Sequence, residues 1–248
     1  MERKWRGMKK RELVLGGLCL LALVLLPGRR EAADLPADAP AELPAETNYI
    51  ALTFDDGPNR GTTDRLLDGL KERGASATFF LVGERISGEE DLVKRMQAEG
   101  HQVGNHTWSH VRLRGASEET ICRETRQTEE ALEAILGPGT YWLRPPYGQI
   151  DEKERKLVTV PMVQWAVDPR DWELKNKDKV VQAVLEAAKP NAIILLHDIY
   201  PTSVDAALGI VDTLQKQGYW FVTVEELLKL NGIEAQPGMI YRSGDQTA

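Results

Sequence analysis

The chain has 248 residues, 42% hydrophobic and 28% charged, with a net charge of −7. That length suffices for one α/β domain with a full core plus appendages. The charge is uneven: residues 1–30 hold eight Lys or Arg against two Glu, so the remainder carries −7 − 6 = −13, and an acidic body without a basic stripe excludes nucleic acid as the expected partner.

Arg3, Lys4, Arg6, Lys9, Lys10 and Arg11 crowd residues 1–12, and an uncharged run of fourteen residues follows at 13–26. A basic start before an apolar run has the pattern of an export signal. The run is shorter than the ~20 residues of an ideal spanning helix, and no small-x-small cleavage site follows it. The expectation is an uncleaved signal anchor, basic end in the cytoplasm and body outside the membrane, with a cleaved signal peptide as second reading. Residues 27–47 form an acidic Pro/Ala linker; from 31 to 47 it holds five acids, three prolines and no base. Such a segment cannot bury apolar area and reads as a tether. Cys19 lies in the apolar run and Cys122 alone in the body, so no internal disulfide is expected. Cys122 reads as a small buried residue on a helix.

From Asn48 onward apolar runs alternate with amphipathic stretches. Strands are predicted over 49–54, 77–82, 102–105, 141–144, 162–167, 192–196 and 220–223. Helices are predicted over 63–73, 90–98, 117–136, 153–157, 179–188, 204–217 and 224–230. Gly74, Gly100, Gly137 and Gly218 sit where helices should stop. The alternation predicts a parallel sheet, open or closed into a barrel. The domain is expected over 48–231. Periodicity is lost after Ile233, so 232–248 read as a tail. Asp55-Asp56, His106, Arg144, Asp168 and His197 each follow directly on a predicted strand, and such folds gather their sites beyond the carboxyl ends of the strands.

The types of these residues point to hydrolysis. Asp55 and Asp56 are adjacent, so their side chains diverge: one suits a metal and the other a proton. His106 and His110 stand four apart, the spacing that puts two imidazoles on one face of a helical turn. Two histidines and an aspartate leave coordination positions open, as a catalytic metal requires. Without thiolates, Zn²⁺ fits, and Co²⁺, Ni²⁺ or Mn²⁺ fit as well. His101 opens the preceding strand and should lie at its opposite end, near solvent. Arg144-Pro145-Pro146-Tyr147 ends a strand with a cation and a rigid turn, able to aim the Tyr147 N–H at an oxyanion. Asp168, Asp171 and Trp172 offer two acids and an aromatic wall. His197 has no second histidine nearby and fits a general acid better than a ligand.

Five ordered motifs, Thr53-Phe-Asp-Asp-Gly-Pro58, His106-Thr-Trp-Ser-His110, Arg144-Pro-Pro-Tyr147, Asp168-Pro-Arg-Asp-Trp172 and Leu195-Leu-His197, resemble those of the polysaccharide deacetylase family, the NodB-homology domain or carbohydrate esterase family 4. The resemblance implies a distorted (β/α) barrel of about seven parallel strands that removes N-acetyl groups from N-acetylglucosamine units. It implies Asp56, His106 and His110 as ligands of one divalent ion and Asp55 as the base that activates water. His197 would be the acid that protonates the leaving amine. Arg144 would tune Asp55, Asp171 would orient His197, and Tyr147 would supply an oxyanion N–H. Trp172 and Leu195 would line the acetyl pocket. With the export signal, the expected substrate is an extracytoplasmic glycan, peptidoglycan first and chitooligosaccharide or an exopolysaccharide second. A catalytically silent glycan-binding module and an amidase of small cyclic amides are the readings of other classes.

Overall fold

A computed structural model describes residues 48–245. The basic stretch 1–12, the apolar run 13–26, the linker 27–47 and the last three residues lie outside the described residues. Among the described residues no helix is long and apolar enough to cross a membrane.

The fold is α/β. Its elements are β1 (Asn48–Asp55), α1 (Thr63–Glu72), β2 (Thr78–Leu81), α2 (Glu90–Ala98), β3 (Gln102–Asn105), α3 (Glu118–Leu136), α4 (Glu152–Arg155), β4 (Met162–Val163), α5 (Asp171–Leu174), α6 (Lys177–Ala187), β5 (Ile193–His197), α7 (Pro201–Lys216), β6 (Tyr219–Phe221), α8 (Val224–Leu230) and β7 (Ile240–Tyr241). The main sheet runs β3-β2-β1-β5, wholly parallel, with β6 paired to the first half of β1. β4 and β7 form a second parallel pair. Single parallel bridges, Asn105 to Leu143, Leu143 to Met162 and Val167 to Ile194, carry the pairing from β3 round to β5.

Side-chain alternation separates the core from the site. Successive strand residues face opposite ways. Ile50, Leu52 and Phe54 of β1, Phe79 and Leu81 of β2, and Ile194 and Leu196 of β5 join one core cluster with Leu66, Leu70, Val93, Ile210 and Val211 of the helices. The other parity carries Thr53 and Asp55 on β1, Phe80 on β2, and Leu195 and His197 on β5. That inner face is tightly filled at β3: a Cβ on Gly104 would lie 2.6 Å from the Phe80 ring and 2.8 Å from the Trp142 carbonyl. Helix starts follow their caps. Ser117 accepts the Thr120 N–H at the head of α3, and Thr223 with Glu226 makes a capping box for α8.

Several expectations are corrected. The stretch 141–144 is no strand but a single bridging residue, Leu143, because Pro145 and Pro146 end its pairing at once. The strand at 162–167 shrinks to Met162–Val163. Residues after Ile233 are not wholly a tail: Ile240–Tyr241 pair with β4, and fully buried Tyr241 packs with Ala51, Phe80, Trp142 and Ile193. A two-residue strand is too short to show periodicity. Cys122 lies on α3 as expected but is exposed. The inward face of α3 is Ile121, Glu124, Thr128 and Leu132, and Cys122 sits one residue round from it.

His101 lies one residue before β3, and it is buried, with 6% exposure, not near solvent. Its Nδ1 accepts the Ala77 N–H at 3.1 Å, and its ring meets Phe79 edge-on at 5.4 Å. Burial pulls its pKa from 6.5 down to about 4. The unfolded chain therefore takes up a proton below pH 6.5 that the folded chain refuses until about pH 4. Stability linked to this group is complete above pH 6.5 and is lost as pH falls through that window. His101→Asn, whose side-chain oxygen can still accept from Ala77, should flatten the decline of unfolding free energy across this window by on the order of 3 kcal/mol, read by chemical denaturation.

Candidate active site

The strand ends deliver the polar groups to one place. Asp55 ends β1 and His197 ends β5, and the two are cross-strand partners in the parallel ladder. Both fall on the inner parity, so their side chains project from the same face at the sheet's carboxyl edge. Asp56 follows with a left-handed backbone (φ 74°), a conformation aspartate tolerates better than most residues. Its carboxylate faces both imidazoles of the histidine loop.

His106 and His110 converge, but not on a helix. Residues 106–110 are a loop, and Thr107 (φ 65°) and His110 (φ 56°) are left-handed. The two rings lie 4.9 Å apart between centroids. Asn105 Oδ1 accepts the Thr107 N–H at 2.8 Å while its Nδ2 donates to the Thr125 carbonyl. Buried Glu124 accepts from the Ser109 N–H and hydroxyl at 2.9 and 3.0 Å. α3 thus holds the loop in shape, a role that nothing around Glu124 in the sequence advertises.

The donor set fits a cation. One ligand atom each from Asp56, His106 and His110 lies within 4.8 Å of the others. His110 Nε2 is 3.4 Å and His106 Nε2 3.7 Å from Asp56 Oδ1. His106 Nδ1 lies 2.7 Å from the Arg144 carbonyl, an acceptor only, so Nδ1 carries the proton. Nε2 is left with its lone pair facing Asp56, the tautomer a metal ligand needs.

Arg144 also governs Asp55. The guanidinium is fully buried. Nη1 donates to Asp55 Oδ1 at 2.8 Å and to Thr53 Oγ1 at 2.7 Å, Nη2 to the Gln164 carbonyl at 3.1 Å and Nε to the Val163 carbonyl at 3.3 Å. The Phe80 ring lies 4.2 Å from its Cζ. Burial pushes the Asp55 carboxyl up, but Arg144 first, then His106 and His197, outweigh it and hold it below the usual carboxylate value. Asp55 Oδ2 stays unpaired by Arg144, 3.6 Å from His106 Nε2. Thr53 opens the first of the five motifs but sequence alone assigns it no role, although it stands two residues before Asp55, the spacing of one strand face.

Asp171 clamps His197 from behind. Its Oδ1 lies 2.8 Å from Nδ1, and its Oδ2 accepts the His197 backbone N–H at 2.9 Å. Burial would lower the imidazole's pKa, yet the Asp171 hydrogen bond and charge, with Asp55 and Asp56, raise it to about 9. His197 is therefore an imidazolium at neutral pH with Nε2 free to donate.

The remaining expected residues fall around this centre. Tyr147 is left-handed (φ 60°), 56% exposed, and packs edge-on to His110 at 4.8 Å. Trp172 is 43% exposed beside Asp171. Leu195 is buried on the inner parity two residues before His197, outside the core clusters. Asp168 does not join: it is exposed, and its Oδ1 accepts the Arg170 N–H at 2.8 Å in a local turn.

The carboxyl edge of the parallel sheet thus brings together three donors that could hold a cation, a carboxyl held below its usual value and an imidazole clamped by Asp171. The chain belongs to the polysaccharide deacetylase family, whose profile matches residues 43–160. It is 43% identical over 178 residues to the peptidoglycan-N-acetylmuramic acid deacetylase PdaC of Bacillus subtilis, covering 72% of this chain and 38% of that protein. It is 38% identical over 187 residues to a peptidoglycan-N-acetylglucosamine deacetylase of Bacillus cereus, covering 73% of this chain and 68% of the relative. The solved structure of a family 4 acetyl xylan esterase from Clostridium thermocellum, in complex with a cobalt ion, superposes with a TM-score of 0.75 at 32% identity, covering 79% of this chain and 98% of the other. The chain thus spans well under half the length of PdaC.

Titration with Zn²⁺ or Co²⁺ should show one site per chain. Asp56→Ala and His106→Ala should each weaken it roughly a hundredfold or more, beyond what loss of a supporting hydrogen bond costs, while His101→Asn should bind as the parent does.

Proposed function

We propose that this chain is a metal-dependent hydrolase that removes N-acetyl groups from N-acetylglucosamine units of an extracytoplasmic polysaccharide, peptidoglycan above all. The observation that carries this reading is the register of β1 with β5, which sets a depressed carboxyl beside a raised imidazolium. A carboxylate that stays ionised and an imidazole that stays protonated are a base and an acid poised together at one pH. The relatives' names supply the substrate class.

Asp56, His106 and His110 would hold the divalent ion, Zn²⁺ by donor chemistry, with Co²⁺, Ni²⁺ or Mn²⁺ as substitutes. When bound, the ion supplies Lewis acidity toward the amide carbonyl and toward a water. Asp55 takes the proton of the attacking water on Oδ2, because Arg144 holds Oδ1. The Tyr147 N–H steadies the oxyanion. His197 gives its Nε2 proton to the departing amine, since an unprotonated amide nitrogen leaves poorly, and Asp171 stabilises the imidazolium until then. Leu195 and Trp172 wall the space for the acetyl methyl. The same reading takes the bridges between β3 and β5 as closing a distorted (β/α) barrel of about seven strands. The basic and apolar N-terminus anchors the chain in the membrane, and the acidic linker holds the domain outside, within reach of the wall.

The full chain, loaded with a defined metal, should release acetate from purified peptidoglycan or N-acetylglucosamine oligomers. Glycan binding without acetate would instead mark a silent binding module, and turnover of cyclic imides a small-molecule amidase. Asp55→Asn should keep the metal and lose roughly 10²–10⁴-fold in kcat, whereas His106→Ala loses both metal and turnover. Retained metal in His106→Ala contradicts the ligand assignment.

The pH profile tests the acid separately. With His197 at about 9, activity should persist into mildly alkaline solution and fall as that proton is lost. Asp171→Asn removes what opposes burial, so the alkaline limb should move down by roughly two pH units or more. An unmoved limb would take the acid's role from His197.

A further inference from the structure

Both imidazoles at the mouth of the site are packed by a tyrosine, and each tyrosine carries a cation. The His110 ring meets Tyr147 at 4.8 Å, and the Arg112 guanidinium sits 5.3 Å from the centre of the Tyr147 ring. The His197 ring faces Tyr200 at 6.3 Å, and Lys175 Nζ sits 5.4 Å from the centre of that ring. One pair therefore flanks the cation-donor side and the other the acid side. A third pair, Arg170 over Trp172 at 5.7 Å, differs because Glu173 neutralises Arg170 at 2.5 Å. Arg112 and Lys175 are exposed, and neither forms an ion pair with a carboxylate of the described residues.

The surrounding charge makes these two cations informative. Residues 48–248 hold 23 Lys or Arg and 31 Asp or Glu, so 23 − 31 = −8. Elsewhere Arg60, Arg65, Arg73, Arg95 and Arg114 are spent on surface carboxylates. An acidic body repels an acidic polymer. Arg112 and Lys175 place two cations without a carboxylate partner beside the site. Each lies against an aromatic ring of the kind on which a sugar face stacks, so a charged substituent on a stacked sugar comes within reach of Arg112 or Lys175.

We propose that Arg112 and Lys175 bind carboxylates on the sugars that neighbour the N-acetyl unit under attack, which makes this site selective for carboxylate-bearing aminoglycans over neutral ones. The inference rests on the deacetylase reading and deepens it. It requires no change at the reacting bond: both residues act on substrate binding, and neither touches Asp55 or His197.

The full chain loaded with Zn²⁺ is assayed on one aminoglycan oligomer bearing lactyl ether carboxylates and on the same oligomer with those carboxylates methyl-esterified. A uronic-acid oligomer and its methyl ester form a second arm that separates the two sources of carboxylate. KM for a free-acid form should be lower by roughly tenfold at low salt and approach parity as ionic strength rises. Arg112→Gln with Lys175→Gln should erase the difference and leave kcat and KM on the esters unchanged. An undiminished preference in that double variant, or equal losses on acid and ester, overturns the proposal. Affinities of Zn²⁺-loaded Asp55→Asn for the same oligomers keep the two readings apart. Carboxylate preference in binding without acetate release from the parent chain removes the deacetylase and keeps the cationic rim. Acetate release without preference removes the rim and keeps the deacetylase.

Discussion

The buried ion pair between Arg144 and Asp55 is the constraint on which the site is built. Taking a guanidinium out of water is costly, and the attraction to a carboxylate repays this only when the other donors are satisfied. Here four of the five N–H groups have partners: one carboxylate, one hydroxyl and two backbone carbonyls surround the group, with an aromatic face against it. Deleting either partner would strand a charge in the interior, an effect of roughly 3–5 kcal/mol in comparable cases. The same residue offers its backbone carbonyl to His106 Nδ1. One position therefore orients the Asp55 carboxylate through its side chain and fixes the tautomer of His106 through its main chain. A shift of the turn at Pro145 would disturb both at once.

Strand geometry explains why so few residues build so much. A period of two means that Thr53, Asp55, Leu195 and His197 share a face without any further device. Register then decides which of them are neighbours: a slip of one residue between β1 and β5 would send every one of these side chains to the opposite face. The apolar residues of the other parity, locked against α1, α2, α6 and α7, forbid that slip. The core does not merely support the site; it sets the pairing of Asp55 with His197.

The polar residues were legible because each chemistry-bearing type follows directly on an apolar run, and alternation told which face it would take. What was hidden depended on distant partners. The four-residue spacing of His106 and His110 is a helical signal, but Asn105 and Glu124 hold that stretch in a loop with left-handed residues, and one of these partners comes from α3. Leu143 looked like part of a strand, and two prolines reduce it to a bridge. β7 gave no pattern because two residues cannot show a period, although Tyr241 fills the inner face. Cys122 was placed on the right helix and the wrong side of it, since 100° of rotation separates adjacent residues and the inward face of α3 is narrow.

Two histidines show how the group facing an imidazole sets its charge. His101 is buried and His197 keeps only 13% of its side chain exposed, and desolvation lowers the pKa of each. His101 has a backbone N–H against Nδ1, a donor that leaves no place for a second proton, and it ends near 4. His197 has a carboxylate against Nδ1, an acceptor that favours the charged ring, and it ends near 9. The desolvation is shared, and the group that faces Nδ1 decides its outcome. A bound divalent ion would add positive charge near Asp55 and Asp56 and weaken their pull on His197. Asp171, fully buried and bound both to the ring at Nδ1 and to the backbone N–H of the same histidine, is placed to keep that imidazole protonated while the donors are occupied. The short helix α5, which begins at Asp171 and carries no other buried residue, thus has a purpose that its length and exposure conceal: it delivers one carboxylate to the back of one imidazole.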